Sequence, residues 1–357
     1  MAPTTQKALI VPAEKAPFKL VSDFAVPTPE AHQVLVKIVA AGICPADARI
    51  QAFGAPFIQN YPFLGGLDVA GVAEEVGADV TSVKEGDRIL CPGGFAPPNA
   101  GHKEYSVMHG DNVAKIPDSM SFEDAATIPL GFATAVTGMW GLEGPTSIGL
   151  PAPWEEGGTT EYAGKPAVIV GGSSSVGQFV IQAARMNGFS PIIAVASPKH
   201  ATLLRSLGAT HVVDRALPTP ELLAAVSAAA SGAPVAFAYD AIGMEDTQRL
   251  AYAALGDHGG FVSVMPRAGP EVLAPVQREG DGKRVARPFA SFQMPANKAL
   301  GVEVYRRLTG WLADGTVKPN RVEVLPGGLS GIPEGAKRVL EGKVSGVKLV
   351  VRIAETP

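Results

Sequence analysis

The stretch that decides the fold reads Val168-Ile169-Val170-Gly171-Gly172-Ser173-Ser174-Ser175-Val176-Gly177-Gln178-Phe179-Val180-Ile181-Gln182-Ala183-Ala184. A short apolar strand runs into a turn of small residues, and an amphipathic helix follows at once. That order builds a dinucleotide pyrophosphate site. Glycines at the end of a strand let the backbone approach a pyrophosphate closely, and the following helix aims N–H groups and the positive end of its dipole at the phosphates. Gly172, Ser174 and Gly177 hold the three small positions, so a serine replaces the middle glycine of the usual pattern. Ser173, Ser175 and Val176 complete the candidate phosphate turn. A turn of this kind also serves as a plain tight connection in α/β proteins, and the flanking segments decide between the two.

Downstream, Ile192-Ile193-Ala194-Val195-Ala196 reads as a second buried strand. It ends at Ser197, not at the Asp or Glu that would bond the ribose 2′-OH of NAD and repel a 2′-phosphate. Ser197, with Lys199 and His200 after it and Arg215 after a third strand at His211 to Asp214, favours NADP(H). Two more strands are predicted, Val235 to Asp240 and Gly260 to Val264, with helical stretches between. Near-continuous apolar strands indicate a parallel, doubly wound sheet covered by helices on both faces. The loops at Ala241-Ile242-Gly243 and Met265-Pro266 then fall at the carboxyl edge, which makes Ile242 and Met265 candidate cofactor contacts.

The first part of the chain has another texture. It is rich in glycine and proline, with short alternating segments such as Gln33 to Ala40, and reads as a compact, mostly β domain over 1–130. The tail returns to this texture at Val322 to Leu325 and Lys348 to Arg352, so residues from about 305 to 357 are expected to complete that domain, leaving 131–304 for the nucleotide-binding domain. The Pro- and Gly-rich stretch from Gly144 to Gly164 is expected to be a surface loop. A net charge of −4 gives no argument for nucleic acid, and no apolar run is long enough to cross a membrane. Two cysteines cannot make a disulfide framework, and the amino terminus lacks a signal core, so a cytoplasmic location is expected.

Over nearly its whole length the chain resembles the medium-chain dehydrogenase/reductase superfamily. The landmarks are Ala40-Ala41-Gly42-Ile43-Cys44-Pro45-Ala46-Asp47, the run Leu67 to Gly77, Val83 to Ile89, Ala125 to Pro129 and Leu207 to Asp214. The resemblance implies a GroES-like catalytic domain and a Rossmann nucleotide-binding domain, with Cys44, Pro45 and Thr134 near the cofactor. Cys44 stands where the zinc branch keeps its first thiolate. The second and third ligand positions of that branch fall on Leu67 and Leu130, and leucine cannot ligate a metal. The lobe of four cysteines is missing as well, leaving only Cys91. The resemblance therefore points to the zinc-free branch, and no metal is expected; Cys44 is read as a buried thiol.

Within that branch the chain is similar to fungal trans-acting enoyl reductases of polyketide biosynthesis, on the turn Gly171 to Ser175, the stretch Ala196 to His200 and the insertion Gly149 to Trp154. Quinone-oxidoreductase-like proteins are the runner-up, although the asparagine common at their Cys44 position is absent. Without zinc, hydride addition to an alkene already conjugated to a carbonyl is the reaction easiest to support, because the carbonyl is the electron sink. Arg49 is the candidate to orient that carbonyl, with an ion pair as its alternative role. Tyr61 is a candidate proton donor, and Asp47 is either a second one or a helix cap. Thr134 stands where the superfamily contacts nicotinamide, and a hydroxyl bonded to its own helix is the alternative. Phe53, Phe57, Tyr61 and Phe63 either wall a pocket or belong to the core. The basic segment from Pro266 to Pro295, with Arg267, Arg278, Lys283, Arg284 and Arg287, is either an ordinary loop or a docking edge for a carrier-protein partner. The substrate implied is a small unsaturated carbonyl compound, free or presented on a polyketide synthase carrier protein. Monomer and homodimer both stay open. Other zinc-free alcohol or carbonyl oxidoreductases, and a non-catalytic NADPH-binding protein on the same superfold, are the remaining alternatives.

Overall fold

A computed structural model of the chain describes residues 2–264, 270–274, 276–278 and 280–357. They fall into two compact units, one made of Met1–Leu130 and Gly301–Pro357, the other of Gly131–Leu300.

In the first unit, β1 (Thr5–Ile10) and β2 (Lys19–Ala25) form an antiparallel pair. A larger sheet follows from β3 (Gln33–Gly42), β4 (Asp68–Val76), β5 (Arg88–Pro92), β6 (Tyr105–His109) and β7 (Ala114–Lys115). Between β3 and β4 lies the helix α1 (Pro45–Phe53), and α2 (Phe122–Ala125) comes after β7; α3 (Pro129–Trp140) begins at the end of this segment and runs on into the second unit. β14 (Val322–Leu325) and β15 (Lys348–Arg352) join this sheet, β15 pairing with β3 through Val350 opposite Gly42. The sheet order is β14-β15-β3-β4-β5-β7, with β6 against β3. Its core gathers Val34, Val36, Ile38, Val69, Ile89, Leu329, Leu349 and Val351, the inward set of the alternating strands.

The second unit is a parallel sheet of β8 (Ala167–Val170), β9 (Ile192–Ala196), β10 (His211–Asp214), β11 (Val235–Asp240), β12 (Leu255–Ser263) and β13 (Arg284–Ala286). Their order is β10-β9-β8-β11-β12-β13, the doubly wound arrangement whose ligand crevice opens at the carboxyl ends of the strands. Every residue of β8 and β9 is buried, as helices on both faces require. The helices that connect these strands are α4 (Ser175–Met186), α5 (Ala201–Leu207), α6 (Thr219–Ala229) and α7 (Glu245–Ala254); α8 (Pro295–Ala313) then leads the chain back into the first unit, which also holds α9 (Ile332–Leu340).

One expectation needs correction. The 144–164 stretch is not a plain surface loop: Ile148, Leu150, Ala152 and Tyr162 are buried. Buried Asn187 holds it, accepting from Trp140 Nε1 at 2.7 Å and donating to the carbonyls of Pro151 at 2.9 Å and Gly158 at 2.7 Å.

Candidate functional site

In the second unit the phosphate turn is built by local backbone rules. Gly171 has φ +75°, a conformation open to glycine, and a Cβ on Gly177 would stand 2.3 Å from the Gly171 carbonyl oxygen. Only glycine fits there, and it brings the helix hard against the strand. Ser174 caps α4: its hydroxyl oxygen accepts from the Gly177 N–H at 3.0 Å, which starts the helix at Ser175. The serine at the middle small position thus spends its oxygen on the cap, while its O–H can still turn outward. Gly172 is buried, whereas Ser173, Ser174, Ser175 and Val176 are half-buried around the mouth of the turn. An exposed helix start with a close-approach backbone fits a dinucleotide pyrophosphate.

At the ends of the neighbouring strands stand the residues expected to read the ribose. Ser197 is half-buried, Lys199 and Arg215 are exposed, and the Arg215 N–H donates to the Ala196 carbonyl at 3.1 Å, which sets Arg215 at the end of β9. His200 is buried at the start of α5 and is therefore less open to a phosphate than the two exposed cations. Thr134 is half-buried on α3, and its carbonyl accepts from the Tyr239 hydroxyl at 2.9 Å. Ile242 is an exposed apolar side chain after β11. Met265 lies outside the described residues, as does Arg267.

The first unit holds a buried polar cluster. Cys44 ends the turn before α1, and its Sγ donates to Asp68 Oδ2 at 3.0 Å. Lys348, from β15, places its Nζ 2.7 Å from the same carboxylate oxygen and 3.4 Å from Cys44 Sγ. Asp68 Oδ1 accepts the Leu130 N–H at 2.6 Å. Burial pushes the Cys44 thiol well up, and the Asp68 carboxylate adds to the push, so it stays a thiol. Burial alone would lower Lys348, but Asp68 and Cys44 overcome it and hold the amine well above its ordinary value. These residues do not fit a catalytic zinc. An ammonium already contacts both the thiol and the carboxylate, and the buried Leu67 and the Leu130 side chain offer no donor. Neither Lys348 nor its partnership was legible in the sequence, where it only opens an apolar strand.

Asp47 turns out to cap α1: Oδ2 accepts the Cys44 N–H at 3.3 Å and Oδ1 the Gly66 N–H at 3.0 Å. His102 is wholly buried, its Nε2 3.9 Å from Asp47 Oδ2, and burial keeps it below its ordinary value. Pro45 occupies the first turn of α1 and is exposed, while Arg49 is half-buried one turn on. Of the four aromatics, Phe63 is core, Tyr61 packs against it with Val11 and Ile50, and Phe53 and Phe57 are exposed. The basic segment is largely used internally. Arg278 pairs with Asp257, Lys283 donates to the Tyr252 carbonyl at 3.0 Å, and Arg284 donates to the Ile148 carbonyl at 2.7 Å.

Comparison with known proteins bears on both units. The family model "Alcohol dehydrogenase GroES-like domain" matches residues 30–118, and "Zinc-binding dehydrogenase" matches 175–277. A zinc-type alcohol dehydrogenase-like protein of Schizosaccharomyces pombe is 30% identical, over 97% of this chain and 99% of its own length. The chain belongs to the medium-chain dehydrogenase/reductase superfamily. Another member, the enoyl reductase component lovC of lovastatin nonaketide synthase from Aspergillus terreus, is 30% identical over 90% of this chain and 89% of its length. Among solved structures, a mycobacterial protein complexed with NADPH superposes with a TM-score of 0.74 at 20% identity, covering 97% of this chain and 99% of the other. The chain is an oxidoreductase of this superfamily, with a GroES-like unit and a parallel-sheet Rossmann unit. No described helix is long and apolar enough to cross a membrane.

Proposed function

We propose that this protein is an NADPH-dependent, zinc-free ene reductase that transfers hydride to the β carbon of an α,β-unsaturated carbonyl or thioester, a trans-acting enoyl reductase of fungal secondary metabolism working in the cytoplasm. The observation that carries the reading is the Lys348 ammonium set against both Cys44 and Asp68, with leucines at 67 and 130. A site whose metal-ligand positions carry leucines is suited to a substrate that supplies its own electron sink. The lovC relative, an enoyl reductase by name and a component of a polyketide synthase, supports the same class. By that analogy the substrate is presented on a synthase carrier protein.

Bound NADPH supplies the hydride; the chain's residues hold and orient. The α4 amino terminus and the Gly171 to Val176 turn take the pyrophosphate, and Lys199 and Arg215 beside Ser197 take the 2′-phosphate. Ile242, at the carboxyl edge of the sheet, would contact the cofactor, and Met265, the other candidate contact, lies outside the described residues. Thr134 orients cofactor or substrate oxygen, Arg49 draws the carbonyl by a charge-assisted bond, and Tyr61 delivers a proton to the α carbon.

The experiment is NADPH and NADH consumption against an α,β-unsaturated thioester, a simple enone, a quinone and an aldehyde. Turnover of thioester or enone with NADPH preferred supports the proposal. Quinone-only turnover assigns the chain to the quinone oxidoreductases, and cofactor binding without turnover of any acceptor to the non-catalytic class.

A further inference from the structure

Asp240 ends β11 and is wholly buried, yet its carboxylate faces four neutral donors. Oδ1 accepts the Ile242 N–H at 3.0 Å, and Oδ2 accepts the Gly243 N–H at 3.1 Å. The hydroxyls of Thr247 and Ser263 each stand 3.1 Å from Oδ2. Burial pushes this carboxyl up and the four hydrogen bonds pull against it. Pinning two consecutive amides to one carboxylate fixes the backbone of a short loop at the carboxyl edge of the sheet, where Gly243 makes the turn at φ +77°. The loop lies against the phosphate turn. Asp240 is in register with Val170, the Ala241 N–H donates to the Val170 carbonyl at 3.0 Å, and a Cβ on Gly171 would meet the Ile242 side chain at 2.5 Å. Ile242 is thus laid over the turn, although 39% of its surface remains open to solvent. A large apolar side chain held at the edge of a ligand crevice can serve as one of its walls.

We propose that Asp240 is a positioning residue of the cofactor site: its carboxylate clamps the Ala241 to Gly243 loop so that Ile242 stands ready over the Gly171 turn as the apolar wall for a bound dinucleotide. This rests on reading the turn as an NADPH site. Without the clamp the loop populates other conformations, and affinity falls by the fraction of time the wall is out of place.

The test is a titration of NADPH against wild type, Asp240→Asn, Ile242→Ala and the double variant by intrinsic fluorescence, with the cofactor-free melting temperature of each. An Asn side chain must turn its amide toward one of the two loop N–H groups, so one loses its acceptor. Asp240→Asn is expected to weaken NADPH binding roughly tenfold. KM for NADPH rises more than kcat falls, and on the Ile242→Ala background most of the loss disappears, because the carboxylate acts through that side chain. Thr247→Val, which leaves both amides bonded, is expected to bind within about twofold of wild type. If Asp240→Asn does not fold, Gly243→Ala strains the same loop at its positive φ and carries the same comparison. An equal loss with and without Ile242, or a lowered melting temperature with unchanged affinity, overturns the proposal. A folded wild type that takes up no NADPH overturns the cofactor reading itself, before any variant is compared.

Discussion

At the scale of single residues, the Cys44, Asp68 and Lys348 cluster carries the sharpest consequences. Asp68 is wholly buried and Lys348 is 5% exposed at its side chain, so each charge depends on the other. Lys348→Met strands a carboxylate in the core and is expected to lower stability by about 3–5 kcal/mol, read as a shift of the urea midpoint. Adding Asp68→Asn should recover most of that loss, since the double variant buries no charge. A double variant as unstable as the single one would mean that the pair acts through packing alone. The thiols make a second prediction. Both cysteines are buried with their thiols pushed up by burial, so native protein at pH 7.5 should resist a thiol reagent that labels both after denaturation. Rapid labelling of native Cys44, located by peptide mapping, would contradict the cluster as described. Cys44 and the two leucines were legible in the sequence because the family frame assigns their positions. Lys348 was not, because its partner Cys44 lies 304 residues away and nothing local to β15 marks it as a counter-ion.

At the scale of elements, Asn187 shows how a segment that looks featureless becomes ordered. Its side chain satisfies one buried indole N–H and two carbonyls, tying the 151–158 segment to α3 and to the end of α4. Asn187→Ala leaves these groups without partners and is expected to cost about 3 kcal/mol, with limited proteolysis then cutting between 149 and 164. Cleavage elsewhere first would argue that the insertion is held by Ile148 and Leu150 instead. Proline and glycine content spoke for a loop here, and content says nothing about tertiary hydrogen bonds. The same limit applies elsewhere in this sheet. β8, β9, β10 and β11 were legible because continuous apolar runs end in glycine or in a polar residue. β13 has only three residues, with an exposed valine at its centre, and no periodicity can show in so short a run. The phosphate turn was readable at the level of its glycines and serines. The clamp at Asp240 was not, since an acid at a strand end looks like any solvated one until its four donors are seen.

At the scale of the whole molecule, stability against pH sums over every group whose proton affinity changes on folding, and one buried amine contributes a part that rises with pH on the alkaline side. Lys103 is wholly buried and donates to the carbonyls of Pro97 and, at 3.0 Å, Pro98, with the Phe24 ring 5.8 Å away. Its hydrogen-bond partners are carbonyl dipoles and not carboxylates, so burial pulls it down to about 7. An unfolded lysine titrates near ~10.4. As pH falls from 10 the unfolded chain takes up this proton first, so the group's contribution to stability falls down to about pH 7. Below that both states carry the proton and the contribution levels off. The slope cannot exceed about 1.4 kcal/mol per pH unit for one group. Lys103→Met removes the titration while keeping an unbranched side chain in the same space. Urea midpoints of wild type and variant at pH 7, 8 and 9 should therefore show wild type gaining on the variant as pH rises. A difference that stays constant across that window would mean that water or a carboxylate reaches the ammonium, and that Lys103 remains charged in the folded protein throughout.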